Sequence, residues 1–125
     1  MSSAAAAPPL SPFLLPEQPT EADLVAKYFK VLAEPTRVRV LELLADGGEL
    51  SVSQLMEVLG QSQSRVSNHL ACLRWCGFVI TRREHRVVHY RVADERVLQV
   101  VALGRALLAD NAEHVAACRH VGSGC

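Results

Sequence analysis

Between Ser51 and Gly77 the chain reads S-V-S-Q-L-M-E-V-L-G-Q-S-Q-S-R-V-S-N-H-L-A-C-L-R-W-C-G, two helical patterns joined by one glycine-containing turn. Ser51 and Gln54 have the spacing of a capping box, and Val52, Leu55, Met56 and Leu59 supply an inward face before Gly60 stops the first pattern. The second pattern starts at Ser62, turns Val66, Leu70 and Leu73 inward, and is closed by Gly77. A short helix, a tight turn and a polar-fronted second helix form a helix-turn-helix, which restricts the fold more than any other stretch. Generic packing accounts for the aliphatic positions. It does not account for Ser62, Gln63, Ser64, Arg65, Ser67, Asn68 and His69 on the front of the second helix. Short hydrogen-bonding side chains at that density suit base edges and phosphates in a major groove, so these seven are assigned to double-stranded DNA.

Two β-rich runs follow, F-V-I-T-R-R and V-V-H-Y-R-V, joined by Glu84-His85-Arg86. In the second run Val88, Tyr90 and Val92 alternate with Val87, His89 and Arg91. A hairpin directly after a recognition helix reads as a wing, with Arg82, Arg83 and Arg86 as its phosphate or groove contacts and His85 and His89 as solvated neighbours. The formal charge of the whole chain is zero, but its distribution is uneven. Residues 1–60 hold four basic side chains against eight acids, giving −4, whereas residues 61–91 hold six arginines against Glu84 alone, giving +5. Residues 92–125 hold three arginines against four acids, giving −1. Positive charge is thus gathered where phosphates need neutralising.

The flanking segments complete a single domain. Thr20 with Asp23 resembles a cap box for a helix to about Ala33, and Glu34-Pro35-Thr36 restarts the chain into a second helix to about Ala45. Asp94 can cap a last helix from about Glu95 to Glu113 or beyond, apolar over more than half its circumference. A terminal helix of this kind needs a surface on another molecule besides its own core, so with the first helix it is assigned to a homodimer interface. The expected architecture is mainly α with a β-hairpin wing: a dimeric winged helix-turn-helix of order α-α-α-α-β-β-α. Residues 1–19, rich in Ala and Pro, read as a disordered arm, residues 20–113 as the folded domain, and residues 114–125 as a flexible tail carrying Cys118, His120 and Cys125. No apolar run is long enough to span a membrane and no secretory pattern opens the chain, so a cytoplasmic location is expected. A Gly-rich phosphate loop and a nucleophile–base–acid set are both missing, which excludes an enzyme.

In that compartment four cysteines suggest metal or redox chemistry before structural disulfides. Cys72 and Cys76 lie four apart, one above the other on the recognition helix, and can offer two thiolates to one soft ion. An all-sulfur, low-coordinate set ranks Hg(II) first, then Cd(II) and Pb(II), with As(III) also suited. Free thiols that simply pack are the plainer reading. A thiol redox switch of the same fold is the functional alternative. The Cβ atoms of an i,i+4 pair stand too far apart for a disulfide without local unwinding, so it would have to use a tail cysteine.

The segment A-E-P-T-R-V-R-V-L-E-L-L and the segment S-R-V-S-N-H-L-A-C-L-R-W-C-G-F-V, in this order of elements, resemble the ArsR/SmtB metal-sensing repressors over roughly residues 20–112. Within that family the Cys72/Cys76 pair is similar to the CmtR-type cadmium/lead sensors and to the ArsR-type mercury repressors of actinobacteria. The resemblance implies a dimer that binds an inverted-repeat operator without metal and releases it when metal binds. It also implies a third thiolate from the C-terminal tail of the other protomer, a role that falls on Cys118 with Cys125 in reserve. Two other metal sites of the family are not matched. The third helix, S-V-S-Q-L-M, has no thiol, and His114 and His120 do not have the spacing of the last-helix zinc site.

Overall fold

Side-chain caps open the helices of this computed structural model, which describes residues 18–118. Thr20 and Asp23 satisfy each other's backbone amides at the start of α1, Glu21–Leu32. Glu34 caps α2, Pro35–Gly47, with Pro35 in the first turn where its missing N–H costs nothing. That helix runs two residues past the expected end at Ala45, because Asp46 and Gly47 stay helical and Gly48, at φ +80°, makes the exit. Ser51 and Gln54 form the reciprocal cap of α3, Val52–Leu59, and Gly60 leaves it in the left-handed region. Ser62 caps α4, Gln63–Trp75. Asp94 caps α5, Glu95–Ala117, which departs from helical geometry at Asn111 (φ −125°, ψ 17°).

A two-residue strand, β1 at Leu50–Ser51, was not among the expected elements. It lies antiparallel to β3, Val87–Val92, which in turn pairs with β2, Val79–Glu84, so the sheet order is β1-β3-β2. Glu84 faces Val87 across the hairpin and belongs to β2, leaving His85 and Arg86 as the turn; His85 takes φ +58°. With β1 included, the order is α-α-β-α-α-β-β-α. Two residues carry no periodicity, so pairing of Leu50 with Tyr90 and Ser51 with His89 is a tertiary outcome.

The core sits between α2, the helix-turn-helix and the sheet. Val40, Leu41 and Leu44 of α2, Leu55 and Leu59 of α3, and Val66, Leu70 and Leu73 of α4 meet Phe78 and Val79 there. Each such aliphatic side chain contributes about 1.5–3 kcal/mol by leaving water. α1 and α5 contribute far less: Val31 and Val97 are their only buried residues. Leu24, Val25, Tyr28 and Phe29 of α1 and Val100, Leu103, Leu107 and Leu108 of α5 are exposed in the single chain. Arg105 of α5 pairs with Glu42 of α2, and Tyr28 packs edge-on to Phe78 with ring centres 5.3 Å apart. No helix of the described residues is long and apolar enough to cross a membrane.

Candidate nucleic-acid interface and thiol site

α4 presents its polar front as an exposed ridge. Gln63, Ser64, Arg65 and Asn68 are exposed and Ser67 is half-buried, while Val66 and Leu70 on the opposite side are fully enclosed. Ser62 is exposed, but its hydroxyl accepts the Arg65 amide at 3.3 Å and is spent on the cap. His69 is turned differently. Its Nδ1 accepts Nε of Arg37 from α2 at 3.1 Å, so one ring nitrogen faces the protein. Burial, then the Arg37 guanidinium, hold the His69 imidazole below its ordinary value of 6.5, with Glu34 acting weakly the other way. Sequence reasoning placed His69 on the DNA ridge and gave Arg37 no role. Residues 32 apart share no periodicity, so only packing of α2 against α4 reveals the bond.

On the wing the three expected arginines divide. Arg83 and Arg86 are exposed, and like Arg65 they have no carboxylate within 4 Å among the described residues. Arg82 is engaged. Its Nη2 lies 2.7 Å from Glu49 Oε1 and its Nε within 3.2 Å of both carboxylate oxygens. Glu49 precedes β1, and the pairing of that strand with β3 brings it beside β2. The Arg82 charge is therefore compensated at rest, and the Glu49 carboxyl is held below its usual range by that guanidinium.

The C-terminal end of α4 carries the thiols. The Cys76 amide donates to the Cys72 carbonyl at 3.1 Å, which puts the residues one turn apart; both are free and half-buried. Gly77, at φ +82°, then turns the chain, with its amide on the Arg74 carbonyl and the Phe78 amide on the Leu73 carbonyl. Between the cysteines Trp75 is 82% exposed. Cys76 borders an open hollow of about 230 Å³ shared with Tyr28, Phe78 and the start of α5 at Asp94, Arg96 and Val97. Asp94 is already committed: it accepts the Arg96 amide and both Nε and Nη2 of Arg96, which holds its carboxyl down to about 2. Two thiols with no competing carboxylate or imidazole suit a soft cation.

Cys118 is the C-cap of α5, and the described residues of this chain bring no three ligating side chains together. It stands 24 residues beyond Asp94, at the far end of a helix that departs from helical geometry at Asn111. Cys125 and His120 lie outside the described residues.

Residues 34–81 match the family described as bacterial regulatory protein, arsR family. A probable mercury resistance operon repressor from Streptomyces lividans is 41% identical over 102 residues, covering 82% of this chain and 81% of that protein. The chain belongs to the ArsR family. The regulator CmtR of Mycobacterium tuberculosis, another relative, is 38% identical over 101 residues, with 80% of this chain and 85% of CmtR covered. Among solved ArsR-like structures, the homodimeric winged helix-turn-helix DNA-binding domain Mb0332 of Mycobacterium bovis superposes with a TM-score of 0.67 at 34% identity, over 74% of this chain and 85% of that one. The chain is accordingly a winged helix-turn-helix regulator of this family, and not an enzyme.

Proposed function

We propose that this chain is a cytoplasmic, metal-responsive repressor whose dimer holds an inverted-repeat operator and releases it when a soft heavy-metal cation binds Cys72, Cys76 and a tail thiol of the partner. The observation that carries the reading is the placement of two free thiols on the helix whose other end presents Gln63, Ser64, Arg65, Ser67 and Asn68. One rigid rod then serves both DNA and ligand. Arg83 and Arg86 add wing contacts to phosphate, and Arg82 joins them only by leaving Glu49.

Exposed apolar faces on α1 and α5 support a dimer, as does the homodimeric relative. The midpoint of the span from Asp94 to Cys118 falls between Leu103 and Leu107, both exposed. A two-fold axis there, with antiparallel α5 helices, sets the end of one α5 beside the start of the other, where Cys76 lies. Such an arrangement is compatible with the third thiolate that the family resemblance implies, supplied in trans by Cys118 with Cys125 as the alternative. Cys72 and Cys76 would hold the ion at the end of α4, and a bound ion would supply the link to the partner's tail. Tying α4 to the partner's tail favours a helix spacing other than the one both major grooves require, and linkage then weakens operator binding by the same coupling, typically 5- to 150-fold. The sulfur-only set ranks Hg(II) first, then Cd(II) and Pb(II), with As(III) also accommodated. The probable mercury resistance operon repressor among the relatives supports placing Hg(II) first.

Titration of Hg(II), Cd(II) and Pb(II) into the protein–operator complex tests the reading. Release is expected with sulfur-to-metal charge-transfer absorption, and unchanged affinity with all three ions defeats it. Cys72→Ser retains wild-type operator binding but loses the metal response; a variant that still responds removes Cys72 from the site.

A further inference from the structure

We infer that Arg37 is the positioning residue of the recognition helix, setting the angle of α4 against the dimer-forming helix α1 through a fork of two hydrogen bonds; this rests on the DNA-binding reading above. Nε of Arg37 donates to His69 Nδ1 at 3.1 Å, and Nη1 donates to the Val31 carbonyl at 3.2 Å. His69 lies in the middle of α4, and Val31 is the one residue that α1 buries. A single planar guanidinium on α2 thus touches both other helices. Its donors diverge in a fixed plane, which a lysine ammonium on a flexible stem does not reproduce.

The rest of the contact between α2 and α4 is poor in direction. Val66, Leu70 and Leu73 pack on Val40, Leu41 and Leu44 within one aliphatic cluster, and such packing holds a helix in place while resisting roll weakly. Among the described residues only one other side-chain hydrogen bond joins the helix-turn-helix to α2, from Gln61 Nε2 to Thr36 Oγ1 at 3.0 Å. That bond fixes the turn before α4, and Arg37 fixes the helix eight residues further on, at His69. With Nε and Nη1 so engaged, and half-buried, Arg37 differs from the exposed Arg65, Arg83 and Arg86.

Angle matters because two recognition helices must enter grooves about one DNA turn apart, so a tilt in each protomer is felt twice. Binding to any duplex through phosphates makes no such demand. Arg37 therefore contributes to operator preference and not to general DNA affinity.

The test compares wild type, Arg37→Lys, His69→Ala, the double variant and His69→Gln. Each is measured on the inverted repeat that the wild-type dimer selects from random duplexes, and on an unrelated duplex of equal length. A wild-type protein with no preference between duplexes ends the DNA-binding reading itself, whatever Arg37 does. If the wild type does discriminate, Arg37→Lys is expected to lose about tenfold on the operator and nothing on the unrelated duplex. His69→Ala loses as much, the double variant no more than either, and His69→Gln, which keeps an acceptor for the fork, recovers most of the affinity. Imidazole nitrogen-15 spectra should show the His69 Nδ1 as an unprotonated acceptor in the wild type and lose that signature in Arg37→Lys. Wild-type operator affinity in Arg37→Lys, equal losses on both duplexes, or losses that add in the double variant overturn the assignment. Should Arg37→Lys fold poorly by melting, the His69→Ala and His69→Gln pair decides alone.

Discussion

His69 illustrates how one contact converts a surface residue into a titrating joint. Three charged groups face its ring: Arg37 from α2, Glu34 at the cap of α2, and Arg65 from α4. Burial and then Arg37 disfavour the imidazolium, so the folded-state pKa lies below the ordinary 6.5. A histidine depressed on folding contributes stability that is fully present above its unfolded value and is lost as pH falls through the folded one, since the unfolded chain takes up the proton first. Melting temperatures of the wild type are therefore expected to drop between pH 7 and pH 5 by more than those of His69→Gln, which cannot titrate. Parallel curves for the two proteins would remove His69 as the source. Asp94 and Glu49 follow the same sign in a more acid window: Arg96 and Arg82 hold their carboxyls low, so the stability they contribute is lost only as pH falls through the carboxylate range.

At the scale of the element, the end of α4 depends on one backbone conformation. Gly77 at φ +82° allows the Phe78 amide to reach the Leu73 carbonyl while both side chains enter the core. A Cβ added at Gly77 meets nothing within 4 Å, so the cost of a side chain there is conformational and not steric. Gly77→Ala is expected to lose about 1 kcal/mol in urea denaturation. The same turn holds Cys76 at the C-cap, so the variant should also weaken metal binding more than a change of equal cost elsewhere. Equal stability in the two proteins, measured with the same urea slope, contradicts this role for the turn.

For the molecule as a whole, the exposed apolar surface of α1 and α5 decides the assembly. Leu103, 62% exposed and near the middle of α5, is the place where a charge harms a two-fold contact most and the monomer core least. Leu103→Glu is expected to sediment as a monomer at concentrations where the wild type is dimeric, with helical content retained and operator affinity reduced at least tenfold through loss of the second half-site. A variant that stays dimeric places the interface elsewhere.

Helix caps, inward faces, the helix-turn-helix and the wing were legible in the chain, because they are set by residues within a few positions of one another: Thr20 with Asp23, Ser51 with Gln54, Gly60 and Gly77 at left-handed exits. The pair Cys72 and Cys76 was legible for the same reason, four residues being one helical turn. What packing alone decided joins distant segments. Arg37 reaches His69 across 32 positions, Arg82 reaches Glu49 across 33, and a two-residue strand finds β3. Local sequence states which hydrogen bonds a backbone can close within one turn; which guanidinium meets which acceptor depends on how the helices lie against each other, and no spacing along the chain carries that information.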